Sequence, residues 1–208
     1  MKRLYLASKN QGKIEEYKKL LLDLNCQLLL QPESIEVEEN GTTFRENAIK
    51  KASEVSQKTG NYAIADDSGI CIDALDGKPG IYSSRYAEND RKRIKRVLTE
   101  LDGEKNRGAF FIANICVCSP NGDVILESEA KCFGNIIFEP RGESGFGYDP
   151  IFEELSSKLT FAEMDNNLKD LCSHRGKALK KIIPQLLKIF GWLIVNPRSM
   201  QAMWDRYG

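Results

Sequence analysis

The segment Ala65-Asp66-Asp67-Ser68-Gly69 constrains this chain more than any other. Apolar runs flank it, Tyr62-Ala63-Ile64 before and Ile70-Cys71-Ile72 after. Short apolar runs of this kind read as strands, which places two adjacent carboxylates at a strand end. Close like charges raise each other's pKa unless a cation or strong donors compensate. A hard divalent metal, which takes oxygen ligands, would supply that compensation. A solvated Asp-Asp-Ser-Gly turn is the alternative, and the rest of the chain has to decide between them.

The pattern around this segment is mixed. Residues 2–7 read as a strand, 13–24 as a helix with Ile14, Tyr17, Leu21 and Leu24 inward, and Leu28-Leu29-Leu30 as a strand ended by Pro32. Thr43-Phe44-Arg45-Glu46 is a capping box. It opens a helix whose apolar stripe is Phe44, Ala48, Ala52 and Val55, with Lys51 in the middle of that stripe and Lys50 pointing away. A lysine centred on an apolar face either snorkels out along the helix or aims its charge into a pocket. Residues 62–65 and 70–72 read as strands on either side of the Asp pair, and Asp76 to Gly80 as a loop. A helix follows at 90–101, then strands at 109–118 and 123–138 joined by a turn at Ser119-Pro120-Asn121-Gly122. A second capping box, Thr160 to Glu163, opens a helical segment; a last helix spans 173–190, with Pro184 expected to kink or break it. Alternating strands and helices with a central run of strands predict an α/β protein built on a mixed sheet.

Charge and cysteine content exclude several classes. Lys plus Arg and Asp plus Glu both total 30, so no global pull toward nucleic acid or membrane follows. The basic run Arg91 to Arg96 has no interleaved aromatics and reads as a solvated helix face. No stretch approaches the roughly 20 apolar residues of a membrane span, and the N-terminal apolar run is too short for a signal peptide. The six cysteines form no CxxC pair and sit mostly in apolar runs, which suits reduced thiols in a cytoplasmic protein.

Further motifs bear on chemistry. Ser8-Lys9-Asn10-Gln11-Gly12-Lys13 joins the first strand to the first helix, where backbone N–H groups favour an anion; a plain helix cap fits it as well. Glu39, shortly before the Lys51 helix, could share a metal with Asp67. Ser144-Gly145-Phe146-Gly147-Tyr148-Asp149 suits an aromatic clamp or a tight turn. His174 is the only histidine and adjoins Arg175 at a helix start, with Lys169 five residues earlier.

The ordered set Ser8-x-Asn10-x-x-Lys13, Phe44-x-Glu46-Asn47-Ala48-x-x-Lys51-Ala52, Ala65 to Gly69, Gly80-Ile81-Tyr82-Ser83-Ser84-Arg85, Gly145 to Pro150 and Ser173 to Gly176 strongly resembles the inosine triphosphate pyrophosphatases, the Ham1-like enzymes of purine nucleotide clean-up. The resemblance covers roughly residues 1–190 and leaves 191–208, with Trp192, Met200, Met203 and Trp204, as a C-terminal extension. It implies an elongated mixed β-sheet with flanking helices and two lobes around a central nucleotide cleft. It also implies a homodimer that hydrolyses ITP, dITP and XTP to monophosphate and pyrophosphate with Mg²⁺. By the same resemblance, Ser8, Lys9, Asn10, Gln11, Gly12, Lys13 and Lys51 meet the triphosphate, and Glu39 and Asp67 bind magnesium. Asp67 accepts the proton of the attacking water, with Asp66 as support, and Ser68 touches substrate. Phe146, Gly147, Tyr148, Asp149 and Lys169 hold the nucleotide, while His174 and Arg175 read the base. The Ser173 to Gly176 segment and the Gly145 to Asp149 loop argue against the alternative of a Maf-type pyrophosphatase, and Asp67, Glu39 and Lys51 together argue against a nucleotide- or nucleic-acid-binding protein without turnover.

Overall fold

A single six-stranded sheet runs through the computed structural model, which describes residues 1–191; the extension beyond Gly191 lies outside the described residues. The strand order is β2-β1-β3-β4-β5-β6, with β1 Lys2–Leu6, β2 Cys26–Leu30, β3 Tyr62–Ile72, β4 Gly108–Cys118, β5 Val124–Ile136 and β6 Phe152–Glu154. β1 pairs in parallel with both β2 and β3, and all later pairings are antiparallel. The sheet is therefore mixed, as the alternation of elements predicts. Among the described residues five α-helices flank it: α1 Gln11–Leu20, α2 Phe44–Thr59, α3 Asp90–Glu100, α4 Asn166–Cys172 and α5 His174–Phe190.

The long strands β3 and β4 carry different packing at their two ends. Around the first half of β3, Ile64 packs with Ile14 and Tyr17 of α1 and with Leu179 and Ile182 of α5. Ala63 and Ala65, on the other face by strand alternation, pack on Ala48, Ala52 and Val55 of α2. Around the second half, Ile70 and Ile72 join Val97 and Leu101 of α3 and an aromatic group of Phe111, Phe152 and Phe161. Two lobes thus share one sheet, and the middle of β3 lies between them.

Several elements differ from the sequence expectation. The Asp pair does not separate two strands: β3 is continuous from Tyr62 to Ile72, and Asp66 and Asp67 pair in register with Ile115 and Asn114 of β4. The strand tolerates them because alternation sends the two carboxylates to opposite faces, each with its own cation. Gly69 keeps the strand regular against a neighbouring turn, since a Cβ there would lie 2.4 Å from the Gly80 carbonyl oxygen. Helix α1 begins two residues earlier than expected and ends at Leu20. Thr160 and Glu163 form half of the expected capping box, Glu163 accepting the Thr160 N–H, but a turn follows and α4 starts after Asp165, which caps Leu168. Pro184 does not break α5, which continues to Phe190. Pro184 and Lys180 are both exposed, so the carbonyl that the proline leaves without an intrahelical donor sits on the solvent side.

Candidate active site

A cleft of about 880 Å³ opens between the lobes, and every site residue that the sequence singles out lines it except Asp66. At one end is the N-terminus of α1. Asn10 is its N-cap, its side chain accepting the Lys13 N–H at 3.0 Å, so capping and the anion-facing geometry coexist. Lys13, mostly buried, reaches Asp66 at 3.2 Å. Burial lowers the Lys13 pKa against the pull of Asp66.

The floor is built by α2 and the middle of β3. Lys51 is 7% exposed; rather than snorkelling, its ammonium meets Glu39 at 2.6 Å and Asp67 at 3.3 Å. Burial works against its charge, but Asp67 and Glu39 overcome that and hold its pKa above the ordinary value. The second oxygen of Asp67 accepts from Asn47 Nδ2 at 3.0 Å. Burial pushes the Asp67 carboxyl up in spite of Lys51 and Lys13, with Glu39 adding to the rise. Asn47 also accepts the Gly41 N–H at 2.8 Å, which ties the loop carrying Glu39 to the same helix turn.

Asp66 lies behind the cleft wall. Its side chain is fully buried on the α1 and α5 face, bound by Lys13 and by Arg175 at 3.1 Å. Burial disfavours its charge, but Lys13 and Arg175 hold the carboxyl well below the usual range. The compensation sought at the Asp pair therefore comes from three protein cations, distributed over two faces of one strand. Arg175 also donates to Ser68 Oγ at 3.0 Å and to Glu16.

The aromatic loop closes over the start of α1. Phe146 packs directly on Gly12, where a Cβ would lie 2.3 Å from Phe146 Cδ1. The Lys169 ammonium stands 5.1 Å from the Phe146 ring centroid. Lys169 is held by Asp149 at 2.7 Å and Glu16 at 2.8 Å, which keep its pKa above normal despite burial. His174 stacks on Phe111 at 4.8 Å and 10° between planes. Burial, reinforced by Arg175, drops its pKa well below normal, so the ring is neutral near pH 7. Tyr148 lines the cleft, but its hydroxyl donates to the Ser83 carbonyl oxygen at 2.8 Å, which makes it a strut between the loop and the turn after β3.

Sequence reading assigned no function to Glu16, Asn47 and Ser83. Glu16 lies three residues after Lys13 on α1, and that spacing puts both on one helix face; this is the one signal that could have drawn it in. The basic run on α3 is largely paired and solvated, through Lys92 with Glu88 and Arg96 with Glu100. Arg93 is the exception, being half-buried and part of the cleft lining.

Residues 4–185 match the Ham1 family model. The chain belongs to the Ham1 family. A protein of Prochlorococcus marinus subsp. pastoris named dITP/XTP pyrophosphatase is 86% identical over 190 residues, 91% of this chain and 100% of that protein. A Synechococcus protein of the same name is 49% identical, over 89% of this chain and 90% of its own. A HAM1 protein structure from Coxiella burnetii superposes with a TM-score of 0.82 at 41% identity, covering 90% of this chain and all of that one. As a Ham1 enzyme the chain is a hydrolase of the nucleoside triphosphate pyrophosphatase class.

The residues fit the divalent cation that the family resemblance implies. Glu39 and Asp67 offer oxygen donors around one point, where Lys51 Nζ now sits. Among the described residues no third carboxylate, imidazole or thiolate converges with them. Two carboxylates completed by phosphate oxygens and water is the arrangement magnesium favours at nucleotide sites.

Proposed function

We propose that this chain hydrolyses dITP, ITP and XTP to the monophosphate and pyrophosphate, by attack of water on the α-phosphorus, with Mg²⁺ as cofactor. The observation that carries the reading is Lys51, directed from an apolar helix stripe onto Glu39 and Asp67 in the same cleft that receives the N-terminus of α1. Asp67 accepts the proton of the attacking water; burial raises its pKa, the direction that makes a carboxylate a better proton acceptor. Asn47 fixes the orientation of that carboxylate. Lys13, Lys51 and the N–H groups at the start of α1 neutralise the phosphates and the departing pyrophosphate. When bound through Glu39 and Asp67, magnesium would supply charge neutralisation at the phosphoryl oxygens.

Base selection follows from donor counting. Two of the three Lys169 N–H groups are used by Asp149 and Glu16, and four of the five Arg175 N–H groups by Asp66, Ser68 and Glu16. One donor remains on each, beside a neutral His174 that can donate from one nitrogen. A 6-oxo purine presents an acceptor to such a set, with Phe146 stacking on the ring. An adenine 6-amino group would set donor against donor, and buried polar groups left unpaired are costly. The homodimer and the cytoplasmic location belong to the same reading on the family resemblance.

Pyrophosphate release with Mg²⁺ from ITP, dITP, XTP, ATP, GTP, CTP and UTP tests the reading. A strong preference for the first three is expected. Turnover of the ordinary nucleotides instead would assign a Maf-like specificity, and absence of turnover would leave only nucleotide binding.

A further inference from the structure

The aromatic loop is held from outside by a residue that no motif identifies. Its tip, Gly145-Phe146-Gly147, has glycines at φ +80° and +64° on either side of Phe146. Nothing lies within 4 Å of a Cβ at Gly147, so glycine is needed there for the backbone angle rather than for space. Two such glycines make the tip costly to order, and its position depends on what fixes its backbone. The Phe146 N–H donates to Asp149 Oδ2 at 2.8 Å, within the loop itself. The Gly147 N–H donates to Asp90 Oδ2 at 2.7 Å, across to the first turn of α3. Among the described residues, Asp90 is the only side chain outside the loop that receives a backbone N–H of the tip.

Asp90 is not occupied with capping its own helix. Asn89 does that, accepting the Lys92 N–H at 3.0 Å. The other Asp90 oxygen is held by Arg93 Nη1 at 2.5 Å, and Arg93 Nε in turn donates to the Ala87 carbonyl oxygen at 3.1 Å. The carboxylate is thereby aimed, and its charge is offset at the rim of a cleft that takes an anionic substrate.

We propose that Asp90 is a positioning residue for the reaction: braced by Arg93, it fixes the Gly147 amide and so sets the Phe146 ring against Gly12 in the cleft. This inference rests on the pyrophosphatase reading for its kinetic consequence but not for its structural one. The chemistry at the α-phosphorus takes place at Asp67 and Lys51, so loss of the anchor weakens nucleotide binding and base discrimination and leaves the chemical step largely intact.

The test uses the full chain with Asp90→Ala, Asp90→Asn and Asp90→Glu. Steady-state kinetics on dITP with Mg²⁺ should show KM raised about 5–10-fold in Asp90→Ala with kcat within about twofold, the size expected for one lost hydrogen bond at a half-exposed carboxylate. The ratio of kcat/KM for dITP over dATP should fall with it. Asp90→Asn keeps one acceptor oxygen for two donors, the Gly147 N–H and Arg93 Nη1, and should fall between wild type and Asp90→Ala. Amide hydrogen exchange of the peptide spanning 144–149, in nucleotide-free protein, should accelerate more in Asp90→Ala than in Asp90→Asn. An unchanged KM, a fall in kcat alone, an Asn variant as damaged as the Ala variant, or unaltered exchange would each overturn the assignment. Asp90→Glu keeps the charge at the start of α3 while displacing the carboxylate, so it should also raise KM and accelerate exchange, and it carries the test where Asp90→Ala misfolds. A wild-type protein inactive on every nucleotide would sink the pyrophosphatase reading, and the exchange measurement would still decide the role of Asp90.

Discussion

Asp66 offers the sharpest separation between a structural and a chemical carboxylate. Its side chain is fully buried and paired with Lys13 and Arg175, of which Arg175 is 2% exposed. Asp66→Asn removes the charge with almost no change of shape. It leaves Lys13 and Arg175 facing one another, with Glu16 as the remaining carboxylate on the guanidinium. Breaking one partner of a buried ion pair costs about 3–5 kcal/mol, and the asparagine oxygen can still accept one hydrogen bond, so about 3 kcal/mol is expected. At about 2–4 °C per kcal/mol for a chain of this size, Tm should fall by about 6–12 °C. The pH dependence is a second constraint. A carboxyl held below its unfolded value contributes stability that is complete above about pH 4 and is lost as pH falls toward the folded value. The gap between wild type and Asp66→Asn should therefore be constant from pH 7 to 5 and shrink below pH 4. Thermal melts monitored by circular dichroism across that range provide the assay. A gap under about 2 °C at pH 7, or one that persists unchanged at pH 3, would refute the assignment of Asp66 as a buried counter-charge.

The other predictions concern its neighbours. Asp67→Asn should lower kcat by about 10²–10⁴-fold, the usual range for a lost general base, while nucleotide affinity by calorimetry stays within about threefold; a near-normal kcat would exclude Asp67 as proton acceptor. Glu16→Gln should loosen both Lys169 and Arg175, costing about 1–3 kcal/mol in urea denaturation and narrowing the preference for dITP over dATP; an unaltered preference would show that the two cations need no common brace. Lys51→Met should impair kcat and nucleotide binding, and it should also tighten binding of Mn²⁺ to the nucleotide-free protein, because the ammonium now stands between Glu39 and Asp67. Calorimetry showing equal or weaker Mn²⁺ affinity in the variant would contradict that competition.

The legible part of the fold was the part set by local pattern. The cap at Thr43, the stripe of α2 and the position of Lys51 within it follow from helical periodicity and from a capping residue that accepts the Glu46 N–H at 3.1 Å. The strand break at the Asp pair was misread because charge was weighed without alternation. Two consecutive residues of a strand never share a face, so adjacency in sequence made a repulsive pair out of groups that face different helices. Glu16 and Asp90 stayed hidden for a related reason: Glu16 meets Arg175 across 159 positions and Asp90 meets Gly147 across 57, and neither pairing leaves a periodic trace. Tyr148 shows the converse, a motif residue whose hydroxyl is used for the fold.

The charges in and behind the cleft explain why one strand can carry so many of them. Lys13, Lys51, Lys169 and Arg175 are matched by Glu16, Glu39, Asp66, Asp67 and Asp149, each within ion-pair distance of at least one of those cations. Four cations against five carboxylates let the lobes close over the middle of β3 without stranding a buried charge, which would cost several kcal/mol per ion. The same balance leaves no surplus of positive charge for a triphosphate. An incoming nucleotide adds several negative charges to a lining whose six cations and six carboxylates already balance, so it must bring cations with it or free those already paired. Lys51 is the group best placed to be freed, since Glu39 and Asp67 are also the residues fitted to a hard cation. On the proposed reading, Glu39 and Asp67 would hold the metal, and the Lys51 ammonium, no longer needed between them, would turn toward the phosphates. One arrival would then supply the missing charge and reassign a protein cation to the substrate.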